Sequence, residues 1–161
     1  MTSGNGARNA VLNDELVRWL ADQPFDHDEF VIVGSAPLLA HGIGNGLLRD
    51  LDVVACGTTW RDVCANGERG TGTITGAPLV SFCGGRVHFS EEWFGPKSTR
   101  ELIAGADVIG GLRFASLPDV LEYKRFLRRD KDLRHIKALE RFQKRSEPVL
   151  RYGAGIPAPA A

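Results

Sequence analysis

A chain of 161 residues is long enough to bury a core, and its apolar fraction of 43% and charged fraction of 25% are those of ordinary globular proteins. Twenty basic residues balance twenty acidic ones, so no bulk field draws the chain to nucleic acid or to a membrane surface. No apolar run is long enough to cross a bilayer and the N-terminus lacks the basic-then-apolar order of a signal peptide, so the expectation is a soluble cytoplasmic protein.

In chain order, Met1 to Ala10 is small and polar and is expected to be a loose tail. Asn13-Asp14-Glu15 opens an amphipathic helix through about Ala21, with Leu16, Val17 and Leu20 on one face. Phe30 to Val33 is a short apolar, β-branched run, the mark of a buried strand. A short helix follows from Ser35, then a loop carrying Gly42, Gly44 and Gly46, then a strand opening on Asp50-Leu51-Asp52. Thr58 or Thr59 is expected to cap a helix with Trp60, Val63 and Cys64. Pro78 to Phe82 and Arg86 to Phe89 flank Cys83-Gly84-Gly85 and read as a hairpin. Ser98 starts a short helix with Glu101 completing a capping box. Asp107 to Ile109 and Leu112 to Phe114, split by two glycines, read as another strand pair. Leu117 to Leu127 and Lys131 to Lys144 read as helices, and the tail from Gly153 on, rich in Gly, Pro and Ala, as disordered. Cys56, Cys64 and Cys83 form no C-x-x-C, and none of His27, His41, His88 or His135 stands at zinc-finger spacing from them. They read as reduced thiols and small core residues.

The stretch from Phe30 to Ala55 carries the chemistry. Gly34 ends the first strand, and without a Cβ it lets a ligand approach the backbone. Ser35 is a good N-cap, the N–H groups behind it favour an anion such as phosphate, and Pro37 in the first turn does no harm. Taken alone this is an ordinary strand-turn-helix. On the next strand, Asp50 and Asp52 project to one side while Leu51 and Val53 face the core. Two carboxylates so close repel unless a cation lies between them, and Mg²⁺ suits them, because it takes oxygen ligands and keeps substrate phosphates in its shell.

Strand, Gly-Ser, helix and D-x-D together resemble the nucleotidyltransferase superfamily with the DNA-polymerase-β-like fold. His41-Gly42 and Arg49 are similar to features of its small bacterial branches, the antibiotic nucleotidyltransferases and the AbiEii-type toxins. A second block also matches: Gly111 to Leu121, then Lys124, then Arg129-Asp130-Lys131-Asp132-Leu133. The resemblance spans Phe30 to about Leu139. It implies an α/β (α+β) fold, a mixed sheet flanked by helices with a helical C-terminal segment. It also implies Mg²⁺-dependent transfer of a nucleoside monophosphate from an NTP to an acceptor hydroxyl or phosphate, on a small molecule or an RNA end. Asp50 and Asp52 would hold the metal. Gly34, Ser35 and Arg49 would bind the nucleotide, and Lys124 and then Arg129 would reach the triphosphate.

The chain departs from that pattern at one place. Where a third carboxylate is expected, on the strand Arg86 to Ser90, stands His88. A histidine can serve as general base, Glu91 or Glu92 can supply the carboxylate instead, or activity is lost and a binding scaffold remains. A further alternative is the toxin of a toxin–antitoxin pair, with an antitoxin as partner. His41 at a helix end reads sooner as a C-cap than as a ligand, and Arg49 reads also as a partner of nearby acids. The C-terminal helical region is basic at Lys124, Arg125, Arg128, Arg129, Lys131, Arg134 and Lys137, which reads for the most part as a solvated helix face, with a strip for RNA as the competing reading. Glu122, Asp130, Asp132 and Glu140 interrupt that strip, and Asp132 is expected to orient a cation. The organisation expected is a flexible tail over 1–10, one nucleotidyltransferase-like domain over 11–150 and a disordered tail over 151–161.

Overall fold

The computed structural model describes residues 4–44 and 47–155, with side chains as far as residue 145. It is a mixed α/β structure. The chain runs α1 (Gly4–Leu12), α2 (Glu15–Ala21), β1 (Phe30–Val33), α3 (Ala36–Ala40), β2 (Leu51–Ala55), α4 (Gly57–Asn66), β3 (Glu68–Thr71), β4 (Pro78–Phe82) and β5 (Val87–Ser90). Then come α5 (Thr99–Ala104), β6 (Asp107–Ile109), β7 (Leu112–Phe114), α6 (Leu117–Leu127) and α7 (Asp130–Gly155). The strands form a seven-stranded sheet in the order β3-β4-β5-β2-β1-β7-β6. β1 pairs antiparallel with β2 and parallel with β7, while β2 pairs parallel with β5.

The sheet is covered on both faces, which is why β1 is a continuous apolar run rather than an alternating one. One face packs Phe30, Ile32, Leu51, Val53, Val87 and Phe89 against α2 and α4 side chains. The other packs Val31, Val33 and Val54 against Leu102, Val120, Tyr123, Ile136 and Leu139 of α5, α6 and α7. Among the described residues no helix is long and apolar enough to cross a membrane.

The helix starts follow local chemistry in most places. Asp14 caps α2 by accepting from the N–H groups of Leu16 and Val17, and Ser98 and Glu101 form the full capping box of α5. α4 differs from expectation, because neither threonine caps it. Its N-cap is Cys56, and the Glu29 carboxylate reaches across to accept from the N–H groups of Thr58 and Thr59 and from both hydroxyls. The N-terminal segment is also corrected. From Gly4 it is helix α1, with Ala7 and Val11 buried, and not a loose tail. Residues 1–3 of that expected tail lie outside the described residues. At the other end α7 runs to Gly155, beyond the predicted stop at Lys144 and into the segment expected to be disordered; residues 156–161 lie outside the description. β3, four exposed residues at the sheet edge, has no counterpart in the sequence reading. All three cysteines are free thiols; Cys56 is buried, whereas Cys83 is exposed and is no core residue.

Candidate nucleotide and metal site

Strand register assembles the centre of the site. Val33 stands opposite Asp52 across the β1–β2 ladder, and Asp52 opposite His88 across the β2–β5 ladder. Directly opposed residues project to the same face, so the two polar groups lie in one row with Val33, on the face covered by α6 and α7. Leu51 and Val53 alternate to the other side and are fully buried, as expected of a strand with period two. The Asp52 and His88 side chains keep 29% and 26% exposure, enough for a ligand to reach them. Asp50, just before β2, is exposed, and so is Arg49.

Gly34 turns the chain out of β1 with φ +73°, a left-handed conformation in which a side chain is strained. A Cβ on residue 34 would lie 2.7 Å from Asp52 Oδ2. Glycine there is favoured twice, by the turn and by the close approach of the Asp52 carboxylate, which would have to move for a side chain. Tyr123 of α6 fixes the turn from the far side, its buried hydroxyl donating to the Gly34 carbonyl at 2.8 Å. Burial foremost, and the charge of Asp52 after it, hold that phenol well above its ordinary pKa, so it is a permanent donor. Nothing in the sequence marks Tyr123, which stands beside the more conspicuous Lys124.

His88 Nδ1 lies 3.5 Å from Asp52 Oδ1. Pairing with Asp52 raises the His88 pKa; partial burial opposes this, while the charges of Asp52 and Asp50 and the Gly85 carbonyl reinforce it. Asp52 is thus both a candidate metal ligand and the partner of an imidazole.

The rest of the expected set is less assembled. Ser35 occupies the N-cap position of α3, but its side chain makes no capping bond, and it has helical rather than extended backbone angles. α3 is five residues long with Pro37 in its first turn, so the anion-binding helix start is a short one. His41 is the C-cap of α3, as its place at a helix end predicts, with Nε2 3.4 Å from Asp107 Oδ2. A cleft of about 480 Å³ lies at that end of α3, lined by Gly4, Asn5, Arg8, Ala40, His41 and Phe142, and it includes none of Asp50, Asp52 and His88. Arg49 makes no ion pair among the described residues; its carbonyl accepts from Arg86 Nε at 3.2 Å. The flexible loop expected at Gly42, Gly44 and Gly46 is described at Gly42 and Gly44, both with positive φ; Gly46 lies outside the description.

Lys124 and Arg129 meet on one carboxylate. The Lys124 ammonium is 1% exposed and lies 3.2 Å from Asp132 Oδ1. Arg129 closes on the same carboxylate, with Nε 2.7 Å and the backbone N 3.0 Å from Oδ2. Asp132 is fully buried and orients two cations, as the sequence suggested. Burial pushes the Lys124 pKa down against the pull of Asp132. Burial also works to raise the Asp132 pKa, but the Arg129 hydrogen bonds and the Lys124 charge outweigh it and leave the carboxyl below its ordinary value. Nearby, His135 is pushed down to about 4 by burial and the Lys124 charge, and its Nδ1 has no partner.

Asp52 and the exposed Asp50, two residues apart in the chain, are the carboxylates available to a metal here. Among the described residues no group of three or more His, Cys, Asp or Glu side chains is placed to hold one, so neither Glu91 nor Glu92 completes a triad. Mg²⁺ commonly takes one or two carboxylates and fills its shell with water and substrate phosphate. No family model, curated protein or solved structure matches the chain. The likeness to nucleotidyltransferases rests on the residues named above.

Proposed function

We propose that the chain binds an NTP with Mg²⁺ at Asp50 and Asp52 and transfers its nucleoside monophosphate to an acceptor hydroxyl or phosphate. The observation that carries this reading is the closeness of the Gly34 backbone to the Asp52 carboxylate, with no room for a side chain between them. A phosphate at the turn would share its cation with that carboxylate. When bound, Mg²⁺ would neutralise the triphosphate and orient it for in-line displacement. Gly34 and Ser35 border the phosphates, and the exposed Arg49 guanidinium, beside Asp50, is free to pair with them. His88, held by Asp52, takes the proton from the acceptor hydroxyl. The acceptor oxygen forms its bond to the α-phosphorus as the bond to the β-phosphate oxygen breaks, and pyrophosphate leaves with the electron pair. Lys124 stays inside the fold, where it ties α6 to α7.

The test is calorimetry of each NTP with and without Mg²⁺, on the wild type and on D50N/D52N. Mg²⁺-dependent binding that the double variant loses supports the site; no binding to any NTP refutes it. The His88–Asp52 pair favours a second reading, a nucleotide-binding module without transfer, because it sets an imidazole against the carboxylate that the metal needs. That reading expects NTP binding with no pyrophosphate released across an acceptor screen.

A further inference from the structure

Two of the four acids that interrupt the basic C-terminal strip in the sequence, Asp132 and Glu140, do not interrupt it in the fold. Asp132 is fully buried beneath Lys124 and Arg129. Glu140 is turned toward α6, where it faces Arg125 at 3.7 Å. What is left on the outer face of α7 is Arg134, Lys137, Arg141, Lys144 and Arg145, all exposed. At 100° per residue these five fall within an arc of about 100°. Among the described residues none of them is in an ion pair. Asp130 stands one turn ahead of Arg134, at the start of the helix, where a carboxylate complements the dipole. A chain of zero net charge thus concentrates a quarter of its twenty cations on one side of one helix.

We propose that this row is a docking surface for the phosphate backbone of a nucleic-acid strand. Spread over a helix rise of about 16 Å, the five charges come once per roughly 4 Å, near the one phosphate per 3.4 Å of a nucleic-acid strand. A membrane is a poorer fit. A helix that lies on lipid turns an apolar face to it, and the apolar face of α7, with Ile136 and Leu139, is buried in the protein. An acidic protein is a poorer fit as well, since stable protein interfaces have an apolar or aromatic centre and this row has none. The identification of the strand as the acceptor for transfer rests on the nucleotidyl-transfer reading; the docking does not, and it is measured without NTP or Mg²⁺.

The experiment is fluorescence anisotropy of the full chain with a labelled single-stranded oligoribonucleotide of mixed sequence across a salt series. Five phosphate contacts predict a slope of log K against log salt near −3.5, from about −0.7 per contact. K137E/R141E should flatten the slope by at least about 1.4, the value for two lost contacts. The milder K137Q/R141Q, which keeps the helix in any case, should flatten it by about 1.4. R18E/R61E, an equal change of charge on α2 and α4, should leave the slope unchanged. Absence of binding at low salt, equal weakening by R18E/R61E, or competition by polyglutamate or anionic vesicles as effective as by unlabelled RNA would each overturn the proposal.

Discussion

Gly34→Ala puts the construction of the site to a quantitative test. At φ +73° an L residue costs about 1–2 kcal/mol relative to glycine. The added methyl also lies 2.7 Å from Asp52 Oδ2 and 3.3 Å from its Cβ, too near for either to stay in place. Asp52 is 29% exposed and can swing toward solvent, so the contact costs less than a buried clash but moves the carboxylate. Together the two effects should lower stability by about 2 kcal/mol, a fall in Tm of roughly 4–8 °C for a chain of this size. Mg²⁺-dependent NTP binding should fall further than stability does, because the ligand group itself has moved.

Repeating the substitution in an Asp52→Ala background separates the two causes. With the carboxylate gone, the backbone cost and the milder 3.3 Å contact with the residue-52 Cβ remain, so Gly34→Ala should be at least about 0.5 kcal/mol milder there than in the wild type. Thermal melts of the four proteins and calorimetry of NTP on Gly34→Ala are the measurements. An equal cost in both backgrounds would show that residue 34 does not sense Asp52. Full NTP affinity in Gly34→Ala would remove the observation on which the functional reading stands.

Tyr123→Phe leaves the buried Gly34 carbonyl without its donor, which should cost about 1–2 kcal/mol in denaturant melts and weaken NTP binding through the loosened turn. Asp132→Ala strands a buried ammonium and should cost about 3–5 kcal/mol. Lys124→Met should cost much less, since Asp132 keeps its bonds from Arg129, and should leave NTP affinity unchanged; a large loss of affinity would place Lys124 at the nucleotide after all. His135 gives a pH dependence of definite sign. Its folded pKa, about 4, lies below the unfolded value near 6.5, so the unfolded state binds the extra proton first. The contribution is complete above pH 6.5, declines on acidification and is lost by about pH 4. Its size is on the order of 2–3 kcal/mol, allowing for partial exposure. His135→Leu should flatten the stability profile over that window, and an unchanged slope would show that another group titrates there.

What the sequence displayed and what it hid divide by the range of the interaction concerned. Strand alternation is local, so Asp50-Leu51-Asp52 shows which side faces the core before any partner strand is known. The capping box at Ser98 and Glu101 spans one helical turn and is equally plain. Helix α1 was hidden because GNGARNAVL is poor in helix formers, and what holds it is burial of Ala7 and Val11. The cap of α4 was hidden because its carboxylate comes from Glu29, almost thirty residues earlier, on the far side of two strands. Lys124 and Asp132 were both legible as charges, yet not as a pair. Their meeting depends on the turn after α6, where Arg128 takes a left-handed conformation with φ +50° and swings α7 back along α6. That one turn sets the partners of both. It brings the Lys124 ammonium onto Asp132, and it withdraws Asp132 from the surface, so an acid that breaks a basic strip in the sequence becomes a buried anchor in the fold.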